Sequence, residues 1–279
     1  MLCLSWGLSQ VSIKEAMPDF PPLIQATLRS LGALAIVVLW SAARGVPLLQ
    51  RDSSLKPGLL AGALFGFEFL LIYIGLSLTT ASRGSIFIYT APFFVAAGGT
   101  LFLPGESLGR WQWLGLALSF AGTATAVGVP QASADARTIA GDAMLIVAGA
   151  AWGATTLVIK GSRLRFVPPE KTLAYQLLVS VPILAAGAYM FGETITAVPR
   201  PAAVAWLAYQ TVWVVGITYV IWFALVKHYS ASRLSAFTFL TPLFGIAAGH
   251  FILGDVIDWP FALAAALVIV GLVLVNRPR

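Results

Sequence analysis

Ten apolar stretches, most of them close to 20 residues and separated by short breaks at Pro, Gly and charged residues, limit what this chain can fold into. They cover approximately residues 2–17, 22–43, 57–79, 81–103, 110–129, 139–160, 170–191, 202–227, 231–253 and 259–276. A bilayer core of about 30 Å is crossed by about 20 residues of α-helix. Barrel strands would instead alternate apolar and polar side chains over about ten residues. Composition closes off a soluble core, because 59% of the 279 residues are hydrophobic and 10% charged, against roughly 45–50% and about 25% in soluble domains. The expected class is an all-α membrane protein with ten transmembrane helices, and the short connections make sequential helices antiparallel neighbours.

The net charge of +6 does not point to nucleic acid, because the basic residues sit in short loops and form no arm. They read as topology signals. One side of the membrane collects Arg44, Arg51, Lys56, Arg110, Lys160, Arg163, Arg165, Lys171, Lys227, Arg233, Arg277 and Arg279, the other Lys14, Arg83, Arg137 and Arg200. Cytoplasmic loops are the richer in Lys and Arg, so both termini are expected in the cytoplasm. One cysteine, Cys3, permits no internal disulfide, and two histidines make a metal site improbable. No cofactor is expected.

The chain also repeats itself. "WGLSQVSIK" at residues 6–14 returns as "WGATTLVIK" at 152–160, and each copy runs on to a Pro pair, Pro21-Pro22 and Pro168-Pro169. "TASRGSIFIYTAPFF" at 80–94 matches "SASRLSAFTFLTPLF" at 230–244, Gly105-Glu106 falls on Gly254-Asp255, and Gly122 on Gly271. These landmarks define two five-helix units, residues 1–130 and 139–276. Five is odd, so the second unit enters from the opposite side and the halves form an inverted pair, the architecture of alternating-access carriers. Some 13 residues lead into Trp152 but only five into Trp6, and helix 1 is expected to lack about two turns in this numbering.

These features resemble the drug/metabolite transporter superfamily, specifically its EamA-type members: ten helices in two repeats, an early Trp-Gly in helices 1 and 6, an "ASR…P" helix 4 and 9, and a Gly-Glu turn before helix 5. The resemblance covers essentially the whole chain and extends to the YddG-like amino-acid exporters. It implies a secondary carrier in the bacterial inner membrane that exports small metabolites, above all aromatic or other neutral amino acids. Sugars, nucleotide derivatives or drugs are the alternative cargo. A proton is a candidate coupling ion, and a monomer is favoured.

Ionisable residues at membrane depth are functional candidates by default. Glu68 lies 11 residues past Pro57 and Arg29 seven past Pro22, about 16 Å and about 10 Å from opposite membrane edges at 1.5 Å per residue. The two are near one level, so they form either a pair in the cavity or a structural pair, unless Arg29 snorkels. Gln176 occupies the repeat position of Arg29. Pro92 and Pro242 fall mid-helix at corresponding places, where each removes a backbone hydrogen bond; they are candidate hinges beside the substrate. Tyr89 and Thr90 precede Pro92, and Trp6, Gln10, Trp152, Tyr175 and Trp213 complete the cavity candidates, with interfacial belts as the alternative for the aromatic residues. Glycines spaced by four, Gly58/Gly62/Gly66, Gly149/Gly153 and Gly245/Gly249, read as packing ridges inside the protomer. "GESLG" at 105–109 satisfies a nucleophile-elbow pattern, yet it joins two helices and has no nearby His. No Walker A pattern is present. An intramembrane enzyme, which would need clustered His or carboxylates, is the weaker reading.

Overall fold

Prolines start helices and glycines stop them, and the two halves do so in step. In the computed structural model, which describes every residue except 51, 128–134, 245–246, 248–258 and 278–279, the second helix runs Pro22–Ala43 and its counterpart Pro169–Met190, 22 residues each. Each has Pro in its first turn, where a missing N–H costs nothing and φ is already helical. Each ends on a left-handed glycine, Gly45 (φ 64°) and Gly192 (φ 65°). Beyond them Val46 N donates to Ser41 O at 2.8 Å and Glu193 N to Ala188 O at 3.0 Å. This is a Schellman ending, which only glycine adopts without strain. Twenty-two residues span about 33 Å, the thickness of the hydrocarbon core plus its edges.

The described residues form helical segments in chain order and no strand: α1 Leu2–Ala16, α2 Pro22–Ala43, α3 Leu55–Leu78, then α4 as Ala81–Phe87 and Ala91–Phe102 joined by the 3-10 turn Ile88–Thr90. After α5 Arg110–Val127 and α6 Ala136–Gly161 come a 3-10 turn, Arg163–Phe166, and α7 Pro169–Met190. The chain continues with α8 Pro201–His228, α9 beginning as Ala231–Ala236 with the 3-10 turn Phe237–Phe239, and α10 Trp259–Asn276. Six of these, α2, α3, α6, α7, α8 and α10, are long and apolar enough to cross a membrane, and Ile88–Phe102 is a shorter apolar helix. Side chains such as Leu39, Leu101 and Val273, each about 70% exposed, form the surface offered to lipid. The protein is a multi-pass helical membrane protein. The span expected at 231–253 leaves the described residues after Phe244, as do Gly245, Gly249, Gly254, Asp255, Arg51 and Arg279 of the sequence argument.

Contacts between the halves come in exchangeable pairs, as an inverted repeat requires. The packing of α3 on α7 is matched by α8 on α2, and that of α3 on α6 by α8 on α1. The pairs α2–α7 and α5–α10 map onto themselves. The glycine ridge of α3 faces α7 of the same chain: a Cβ on Gly62 would lie 2.7 Å from the Tyr175 carbonyl oxygen, and one on Gly66 2.8 Å from Ile183. On α6, Gly149 meets the backbone at Ile88 and Gly153 meets Phe94 of α4. The repeated Ile-Lys ending has one task in both halves. Lys14 Nζ donates to the Thr79 carbonyl and Lys160 Nζ to the Tyr229 carbonyl, both at 2.6 Å. Thr79 and Tyr229 are the C-caps of α3 and α8, so each lysine ammonium satisfies orphan carbonyls at the negative end of a helix.

Three helices depart from the sequence expectation. The break in α4 falls at Tyr89 (φ −80°, ψ 15°), three residues before Pro92; Pro92 itself sits in the first turn of the resumed helix. A proline has no N–H to donate to the carbonyl four residues back and its ring clashes with that carbonyl, so the backbone yields upstream of the ring. In α9 the 3-10 turn Phe237–Phe239 likewise lies upstream of Pro242. In α8, Tyr209–Thr218 is π-helical, which the apolar run alone did not indicate.

Candidate functional site

A cavity of about 70 Å³ lies between α1, α3, α4, α6 and α8, enough for on the order of five waters. Its position follows from the repeat. Trp6 of α1 and Trp152 of α6 are repeat equivalents, and their rings meet edge to face with centroids 6.1 Å apart. Trp222 packs on Trp6 at 5.1 Å and on Trp152 at 6.2 Å, and Tyr89 meets Trp152 at 6.0 Å. An edge-to-face contact uses one face of one ring, so a ligand is left the remaining faces of these rings. Phe65 and Phe69 extend the wall along α3, and Thr155 and Thr156 line it from α6. The Trp6 indole N–H is already engaged, donating to Thr218 Oγ1 at 2.9 Å.

Glu68 supplies the charge. Its side chain lines the cavity and is 5% exposed. Among the described residues it makes no hydrogen bond and no ion pair within 4 Å. A buried carboxylate without a partner is expensive.

Of the residues singled out from the sequence, Trp6, Gln10, Glu68, Tyr89 and Trp152 line the cavity. Arg29, Thr90, Tyr175, Gln176 and Trp213 do not. Arg29 is 1% exposed, so it does not snorkel to an interface; its guanidinium lies over the Phe69 ring at 3.9 Å and toward Tyr73 at 5.5 Å. It is electrostatically coupled to Glu68 without pairing with it. Gln176 is fully buried on α7, with both amide atoms unpartnered among the described residues. Tyr175 is a packing residue, its ring against Gly58 and its hydroxyl 3.2 Å from Ser54 Oγ. Trp213 Nε1 donates to Ser5 Oγ at 2.8 Å, pinning α8 to α1, and Thr90 Oγ1 turns back to Phe87 O.

Sequence reasoning missed Tyr219 and Trp222. The signal was present, because the 150-residue offset from Ala81 to Ala231, carried back along α3 and α8, places Phe69 on Tyr219 and Ile72 on Trp222. All four line the cavity.

The sequence matches the EamA-like transporter family over residues 1–128 and 139–277. It is 28% identical to "Uncharacterized transporter sll0355" of Synechocystis sp., covering 98% of this chain and 86% of that protein. Identity to "Uncharacterized transporter YoaV" of Bacillus subtilis is 24% over 96% of this chain and 92% of the relative. For "Uncharacterized inner membrane transporter YedA" of Escherichia coli it is 22%, over 99% and 88%. A protein crystal structure superposes with a TM-score of 0.82 at 20% identity, covering 99% of this chain and 94% of the other, which is a likeness of fold.

Proposed function

This chain belongs to the EamA-like transporter family, and from that premise we propose that it is a secondary, alternating-access carrier exporting an amino acid with an aromatic or other neutral side chain from the bacterial cytoplasm. The observation that carries the reading is one cavity, walled by the repeat-equivalent Trp6 and Trp152 and touching the break of α4 at Tyr89. A substrate there contacts both halves and the break of α4 at once, so a rocking exchange of the halves moves access from one face to the other. Pro92 and Pro242 are the hinge residues in this scheme, with both termini cytoplasmic. Export as the direction comes from the family resemblance, a proton is the candidate coupling ion, and a monomeric carrier is favoured because the glycine ridges pack inside the protomer.

A cationic drug-like cargo is the second reading, favoured by the ring faces around an unpaired carboxylate. Proteoliposomes of the purified chain, given radiolabelled amino acids, sugars, nucleotides and cationic dyes in turn, test both. Saturable movement of an aromatic or neutral amino acid is expected; movement of only another class replaces that cargo assignment.

A further inference from the structure

We propose that Glu68 and Arg29 are the two poles of a site for a zwitterion, Glu68 taking the ammonium and Arg29 the carboxylate of an α-amino acid. This deepens the reading above and rests on it. Two buried opposite charges on adjacent helices would ordinarily neutralise each other, because an uncompensated buried ion costs several kcal/mol. Here they do not pair. Among the described residues Glu68 faces the cavity without a hydrogen bond, and Arg29 keeps Nε and Nη2 unpartnered at 1% exposure. Each pole therefore lacks what the opposite end of a zwitterion carries.

The geometry sets the order of the poles. Glu68 is at the wall, while the guanidinium is one side chain behind it, lying on the outer face of Phe69, whose ring lines the cavity. Phe69 rotation opens the guanidinium to the space, and the ring then packs on the substrate. Tyr73, also against Arg29, is held by its hydroxyl donating to Gln210 Oε1 at 2.9 Å. Phe69 is thus the lining ring that stands against the guanidinium. A planar guanidinium binds a carboxylate through two parallel hydrogen bonds, and the rings of Trp6, Trp152 and Tyr89 remain for the side chain. A substrate with only one charge would leave the other pole bare, so amines and carboxylic acids are discriminated against.

The test uses proteoliposomes of the full chain. Uptake of the twenty radiolabelled L-amino acids identifies the best substrate, which then competes with two analogues, its amine lacking the carboxylate and its acid lacking the amino group. In the wild type both analogues compete at least about tenfold more weakly than the amino acid, the worth of one charge-assisted contact. Glu68→Gln weakens the amino acid and the amine by about tenfold and spares the acid. Arg29→Gln weakens the amino acid and the acid by about tenfold and spares the amine. The ratio of the two competitors is read within each variant, so it does not depend on the yield of folded protein, and Arg29→Lys should keep part of the affinity for the acid that Arg29→Gln loses. An amine that competes as well as the amino acid, with a ratio unmoved by Arg29→Gln, overturns the zwitterion in favour of a cation. Transport of only sugars, nucleotides or dyes also overturns it while the carrier reading stands; no transport of any class removes both.

Discussion

Helices α3 and α8 hold equivalent places in the two halves and treat the same position in opposite ways. Carried back by 150 residues, Thr218 of α8 falls on Glu68 of α3. Thr218 is spoken for, accepting from Trp6 Nε1 and donating to Val214 O at 2.5 Å. Glu68 is left open to the cavity. α3 is regular over 24 residues, whereas α8 relaxes into a π-helix over Tyr209–Thr218. Such wide turns cluster at functional places. Here the wide turn buries Gln210, Val214 and Thr218 on one side and leaves Trp213 to hold α1. Equivalent scaffolds let the two halves exchange shapes; the chemistry of the site needs only one copy of each group.

The largest effect expected from breaking this symmetry is at the interhelix contacts. Gly62→Leu drives a side chain into the Tyr175 backbone and Val179, 2.7 Å away, whereas Gly32→Leu in the matching α2–α8 contact meets the Thr211 methyl at 2.8 Å. A backbone oxygen cannot step aside and a threonine side chain can. Gly62→Leu should therefore cost about 3 kcal/mol in detergent and Gly32→Leu roughly half as much, read from denaturation midpoints. Equal losses would mean that the two contacts are equally rigid.

Next come the lysine latches. Lys160 Nζ reaches three carbonyls, of Val226, Lys227 and Tyr229, and lies 4.0 Å from Glu106, while among the described residues Lys14 holds Thr79 alone. Removing the donor leaves those carbonyls short of a partner, so Lys160→Met should cost about 2 kcal/mol and Lys14→Met about 1. Thermal melts of both variants at one detergent concentration decide it, and a larger loss for Lys14→Met would reverse the ranking.

The hinges should give smaller, kinetic effects. Pro92→Ala and Pro242→Ala restore a helical N–H upstream of which α4 and α9 now yield, and each is expected to slow turnover several-fold with little change in half-saturation. Unaltered turnover in both variants would leave the prolines as packing features.

The smallest difference is at the helix starts. The first turn of α2 is closed by the Glu193 carboxylate, which accepts from Leu23 and Ile24 N at 2.8 and 2.9 Å. α7 instead carries Lys171, which donates to Asp52 at 2.8 Å. That lysine first, and Ser54 second, hold the Asp52 carboxyl down to about 2. Because the folded value lies below the unfolded one, the pair stabilises fully above the ordinary carboxylate range and its contribution is lost as pH falls through about 2. Melts of the wild type should decline more steeply than those of Asp52→Asn between pH 4 and 2; parallel curves would deny the pair a role.

The sequence by itself determined that this is a helical membrane protein of two repeats, because apolar run length and the offset of "WG…IK", Pro-Pro and "ASR…P" are local properties that survive without coordinates. It also marked Glu68, Trp6, Trp152 and Tyr89, since buried charge and repeat symmetry are readable from spacing. Tertiary structure alone decided that Tyr175 packs against Gly58 and stays out of the cavity. It also decided that α4 yields at Tyr89 instead of at Pro92, and that Arg29 stands behind Phe69 unpaired. Helical periodicity says which residues share a face but not which neighbour that face meets. In a chain apolar on nearly every face, the choice of neighbour belongs to glycine ridges and ring contacts between distant helices.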